Sequence, residues 1–109
     1  MKRDVRTATE VDAFVGAQLK LLRKTAGYSQ TDLANQVGVT FQQIQKYERG
    51  TNRIGASRLW GLCKVFDVAP GRFFEGVEAH LEALEKEALI AGDEMPNGPA
   101  ASSGRQRAR

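Results

Sequence analysis

Residues 29–50 read SQTDLANQVGVTFQQIQKYERG, and two helix starts and two helix stops are written into them. Ser29 stands where an N-cap belongs, because its hydroxyl can accept from an early backbone N–H, and Asp32 three residues on favours the positive helix end. Leu33, Ala34 and Val37 follow as a short apolar stripe until Gly38, which suits the left-handed residue that closes a helix. Thr40 can cap a second helix, Phe41 to about Arg49, and Gly50 ends it in the same way. Only Gly38, Val39 and Thr40 link the two. Phe41, Ile44 and Tyr47 are all that the second helix offers a core, while Gln42, Gln43, Gln45, Lys46 and Arg49 occupy the rest of its surface.

Two short helices joined by a three-residue turn containing glycine are the sequence form of a helix-turn-helix, whose second helix can enter a DNA major groove. The spacing supports that pattern: Leu33, Val37, Val39, Ile44 and Tyr47 are apolar, and Ala34 is small where two helices must approach. Each feature is common alone; the set is specific.

On the N-terminal side, apolar residues recur at helical spacing from about Val11 through Phe14, Val15, Leu19 and Leu22 to Ala26, and Gly27 stops them. Residues 1–10 are polar and predict a flexible N-terminal arm. On the C-terminal side, after TNRIGA, Ser57 can cap a fourth helix carrying Leu59, Trp60, Leu62, Cys63, Val65 and Phe66. Pro70 suits the first turn of a short fifth helix with Phe73 and Phe74, closed by Gly76. Trp60, Phe66, Phe73 and Phe74 are expected in the core. Residues 77–91 predict a C-terminal helix, and the Gly-, Pro- and Ser-rich run 92–109 a disordered tail. With no strand alternation, the expectation is an all-α protein: a compact five-helix domain over 11–76, the helix 77–91 and the tail.

A chain of 109 residues fits one small domain. Its basic excess sits at the front: residues 1–76 hold 12 Lys and Arg against 7 Asp and Glu, whereas 77–91 hold 1 against 4, so a polyanion would dock on the front part. Cys63 is the only cysteine, which excludes an intrachain disulfide, and a single His80 without a cysteine beside it gives no zinc pattern. No run is long and apolar enough for a membrane span, and MKRDVRTATEVDAF has no apolar secretion core, so a cytoplasmic, nucleoid-associated protein is expected. No nucleophile, base and orienter are spaced as an enzyme site, and no glycine-rich phosphate cradle is present. The expectation is a non-enzyme with neither cofactor nor metal.

SQTDLANQVGVTFQQIQKYERG resembles the lambda-repressor-like (Cro/XRE-type) helix-turn-helix family of DNA-binding transcriptional regulators. The likeness rests on SQ at Ser29 and Gln30, LA at Leu33 and Ala34, the turn VGVT, the ExG of Glu48 to Gly50, and the AxxLxxLxxxxxV spacing from Ala56 to Val68. It covers about residues 11–76. The resemblance implies that Phe41, Gln42, Gln45 and Lys46 face the bases. A glutamine amide suits adenine N6 and N7, and a lysine suits guanine O6 and N7. It also implies phosphate contacts from Gln30, Thr40, Tyr47, Arg49, Asn52 and Arg53, with Arg58 a weaker member; Gln43 can serve either purpose. Phe41 departs from the polar residue frequent at this place in phage members: it can touch a thymine methyl or pack over a neighbouring side chain. Arg23 and Glu48 match a structural ion pair tying the first helix to the third.

Outside the resemblance, Val77, Leu81, Leu84, Ala88 and Ala91 form a seam at near-heptad spacing. It can fold back on its own domain or pair two copies; a homodimer on a palindromic operator is expected, because one helix-turn-helix reads only a few base pairs. The functional expectation is a sequence-specific regulator binding double-stranded DNA, in the first instance a repressor. The alternative is an antitoxin-like protein that neutralises a protein partner and represses its own synthesis.

Overall fold

A computed structural model describes residues 5–94. Within them lie α1 (Val5–Ala26), α2 (Gln30–Val37), α3 (Phe41–Arg49), α4 (Ala56–Phe66), a 3-10 turn (Pro70–Phe74) and α5 (Val77–Glu94), with no strand among the described residues. The chain divides at Val77 into a helical domain and the C-terminal segment carrying α5.

The helix boundaries around the short turn follow the expected chemistry. Ser29 accepts from the Asp32 backbone N–H at 2.9 Å, and the Asp32 side chain accepts from the Ser29 N–H, a reciprocal capping box. Thr40 Oγ1 accepts from the Gln43 N–H at 3.1 Å. Gly38 and Gly50 close α2 and α3 in the left-handed conformation, at φ 74° and 77°.

Other boundaries move. Helix α1 starts at Val5, so residues 5–10 of the expected arm are helical: VRTATE holds no Gly or Pro, and once the buried stripe nucleates the helix each added residue gains a hydrogen bond. Residues 1–4 lie outside the described residues. Helix α4 begins at Ala56 with Gly55, not Ser57, as its N-cap and no side-chain cap bond. The fifth helix is a 3-10 turn. Helix α5 runs through Gly92 to Glu94, three residues into the expected tail; residues 95–109 of that tail lie outside the described residues.

Core formation brings α1 against α3, α4 and the 3-10 turn, and α2 against α3 and α4. Val15, Leu19 and Leu22 of α1 meet Leu33, Ala34, Ile44 and Tyr47, with Leu62, Cys63 and Phe73 completing the cluster. Each fully buried Leu, Ile or Phe contributes about 1.5–3 kcal/mol. Two expected core residues are outside it. Trp60 is 58% exposed, because α4 buries Leu62 and Cys63 and half-buries Leu59 and Phe66, and the tryptophan falls beside that stripe; Lys64 stands over its ring at 5.4 Å. Phe74 is 41% exposed while Phe73 is fully buried, since adjacent residues of a 3-10 turn cannot both point inward. Phe66 is half-buried, with Tyr28 edge-on to it at 6.1 Å.

Helices α1 and α3 approach backbone to backbone. A methyl carbon placed on Gly16 would overlap the Tyr47 carbonyl oxygen and stand 2.9 Å from that of Glu48. One placed on Gly50 would stand 2.6 Å from the Ala13 Cα. Gly16 and Gly50 therefore let the end of α3 rest directly on α1, which fixes where α3 points.

Candidate nucleic-acid interface

With 3.6 residues per turn, Gln42, Gln45, Lys46 and Arg49 share one face of α3, and Ile44, Tyr47 and Glu48 share the opposite one. Burial follows that division. Ile44, Tyr47 and Glu48 are buried, Gln42, Lys46 and Arg49 are exposed, and Gln43 and Gln45 are half-buried. Phe41 is 43% exposed at the start of the helix. The four candidate base readers thus lie on one helix, three of them open to solvent.

The rear of α3 is anchored by charge. Arg23 donates from Nε to Glu48 Oε2, from Nη2 to Oε1 at 3.2 Å, and from Nη1 to the Tyr28 carbonyl at 2.9 Å. The two side chains are 9% and 4% exposed. Glu48 also accepts from Gln30 Nε2 at 3.0 Å, so its carboxylate joins α1, the first residue of α2 and the last turn of α3. A bidentate guanidinium–carboxylate pair fixes orientation as well as distance. Removing one partner strands the other in the interior.

The expected phosphate contacts are scattered and differently occupied. Thr40 and Arg49 are exposed and Asn52 half-buried around the ends of α3. Gln30 directs one amide N–H inward to Glu48, so only its other polar atoms remain for a phosphate. Tyr47 is 8% exposed and belongs to the core cluster, as its apolar spacing on α3 implies; its hydroxyl is the part suited to a phosphate. Arg58 donates from Nη1 to the Val37 carbonyl, capping the C-terminal end of α2 and tying it to α4. Arg53 is exposed and bonded through Nε to both carboxylate oxygens of Asp12, at 3.2 and 3.0 Å.

Sequence reasoning missed two residues here. Gly16 carried a signal, a glycine inside a helical pattern, which commonly marks a close approach. Asp12 carried none: its partner lies 41 residues away, and no local spacing links them. Cys63 is 2% exposed, and burial pushes its thiol pKa above the ordinary value, so it behaves as a small core residue. The described residues contain no group of metal ligands and no helix long and apolar enough to cross a membrane.

A family model described as Helix-turn-helix matches residues 19–73. The chain belongs to this family of Cro/XRE-type helix-turn-helix, DNA-binding transcriptional regulators. It is 43% identical over 76% of its length to an HTH-type transcriptional regulator, y4wC, of Sinorhizobium fredii, and covers 58% of that protein. It is 48% identical over 69% of its length to a Rhodospirillum rubrum protein described as a transcriptional regulator in the ATPase CF(0) region, and covers 69% of it. The chain spans about half the length of several other curated relatives, which lie in Sinorhizobium and Rhizobium. Among solved structures, the restriction-modification controller protein C.AhdI from Aeromonas hydrophila superposes with a TM-score of 0.54 at 26% identity, over 56% of this chain and 92% of that one.

Proposed function

We propose that the protein is a sequence-specific transcriptional repressor that binds operator DNA as a homodimer, with α3 in the major groove. The observation that carries this reading is the division of α3 into a buried rear, locked by Arg23 and Glu48, and an outward face of amides and cations. A recognition helix must be rigid, since discrimination between bases depends on donors and acceptors held in register. Gln42 and Gln45 would address adenine edges and Lys46 guanine, with Phe41 at the helix start against a thymine methyl; Gln43 and Thr40 lie nearest the backbone. Arg49, Asn52 and Arg53 would hold phosphates on the rim, in keeping with the basic excess of residues 1–76. Such a protein works beside the nucleoid in the cytoplasm.

Dimerisation is supported by α5, a continuous helix over Val77–Glu94 that puts Val77, Leu81, Leu84 and Ala88 along one side. Leu89 and Ile90 are 68% and 52% exposed on other faces of the same helix, outside that seam. Selection of bound duplexes from a random pool tests the reading. The expected product is a two-fold symmetric site with half-sites about 34 Å apart, one turn of DNA. A pool that enriches no motif overturns it. Copurification of a stoichiometric small toxin with the native protein would favour the antitoxin alternative.

A further inference from the structure

Arg53 follows α3 in the loop to α4 and is 67% exposed at its side chain; Asp12 on α1 is 20% exposed. Both line a cleft whose walls include Val11, Val15, Ile54 and Leu59. The carboxylate takes only Nε, at 3.2 and 3.0 Å, and among the described residues neither Nη group has an acceptor. An arginine bonded through Nε has its guanidinium plane oriented by the carboxylate, and the Nη group on the opposite edge of that plane is turned away from the partner. Asp12 is itself well placed to hold it: the next residue, Ala13, lies under Gly50 at the close approach of α1 to α3.

We infer that Asp12 is a positioning residue for DNA binding, which presents the outward Nη group of Arg53 to a backbone phosphate. The inference rests on the DNA-binding reading above and adds a role for a residue with the wrong charge to touch DNA. Long-range electrostatics and positioning predict opposite signs. An aspartate near a polyanion repels it, so deleting the charge would tighten binding if repulsion dominated. An arginine freed from its carboxylate regains rotamers that must be frozen again on the phosphate, which loosens binding. The arginine's own charge offsets that of the aspartate beside it, and at about 0.15 M salt the Debye length is about 8 Å, so the net repulsion is small and ordering decides.

The test uses the full chain and a mixed-sequence duplex of about 20 base pairs, two turns of DNA, because a phosphate contact needs no base sequence. Asp12→Asn is expected to weaken binding about fivefold by fluorescence anisotropy at about 0.15 M salt, where repulsion is screened, since part of the arginine side-chain entropy returns. Asp12→Glu should recover part of the loss. In an Arg53→Ala background Asp12→Asn should leave affinity unchanged or raise it slightly, a coupling that a general loss of folding would not produce; melting curves of each variant check the fold. Tighter binding by Asp12→Asn alone overturns the inference while leaving DNA binding intact, and so does an equal loss with and without Arg53. Failure of the unsubstituted chain to bind any duplex overturns both readings.

Discussion

Gly16 and Gly61 both sit inside helices, and substituting each by alanine should move stability in opposite directions. In a helix interior alanine is favoured over glycine by roughly 0.5–1 kcal/mol, because glycine loses more backbone freedom on folding. At Gly61 on α4 a methyl group meets nothing within 4 Å, so that gain should appear undiminished. At Gly16 the same methyl collides with the Tyr47 carbonyl oxygen and stands 2.9 Å from the Glu48 oxygen. Neither atom can swing aside, because both belong to the backbone of α3. Helices α1 and α3 must separate by more than about an ångström to bring the Tyr47 oxygen back to contact near 3.5 Å, the optimum for non-bonded atoms. Overpacking costs about 1–3 kcal/mol, and a clash with backbone this close belongs at the upper end, because the shift also loosens Ile44 and Tyr47 against α1. After subtracting the propensity gain, Gly16→Ala should lose about 2 kcal/mol net, which lowers Tm by roughly 10 °C in a domain of this size. Gly61→Ala should raise Tm by a few degrees. Thermal and urea unfolding of the two variants beside the parent measure both. A Gly16→Ala protein as stable as the parent would refute the close contact of α1 with α3.

Glu48→Gln keeps the shape but leaves the Arg23 guanidinium buried without its counter-charge, and urea unfolding should record a loss of about 3–5 kcal/mol. Thr40→Ala removes the cap of α3 and should cost about 1 kcal/mol, read in the same experiment. Gln42→Ala should lose about 1–3 kcal/mol on the preferred site and little on random DNA, whereas Arg49→Ala should weaken both and flatten the salt dependence; equal effects from the two would contradict the separation of readers from positioners.

The turn region was legible because its signals are local. Ser29, Thr40, Gly38 and Gly50 each act on backbone atoms within a few residues, and helical spacing separates Ile44 and Tyr47 from Gln42 and Lys46. Trp60 misled because hydrophobicity speaks for burial only when the residue lies on the stripe that the neighbouring helix covers. The early start of α1 was hidden by the polar run at 5–10, whose helicity depends on propagation from the buried part and not on its own pattern. The Asp12–Arg53 bond joins residues 41 positions apart and becomes visible only when α1 and the loop after α3 are brought together.

The central claim, that the outward face of α3 reads DNA, is tested most directly by mapping chromosomal occupancy of the parent and of a Gln42→Ala, Lys46→Ala double variant. The parent should concentrate at sites sharing a roughly palindromic motif, and the variant, folded and present at equal level, should lose them. Unchanged occupancy by the variant, or parent sites with no motif in common, would contradict it.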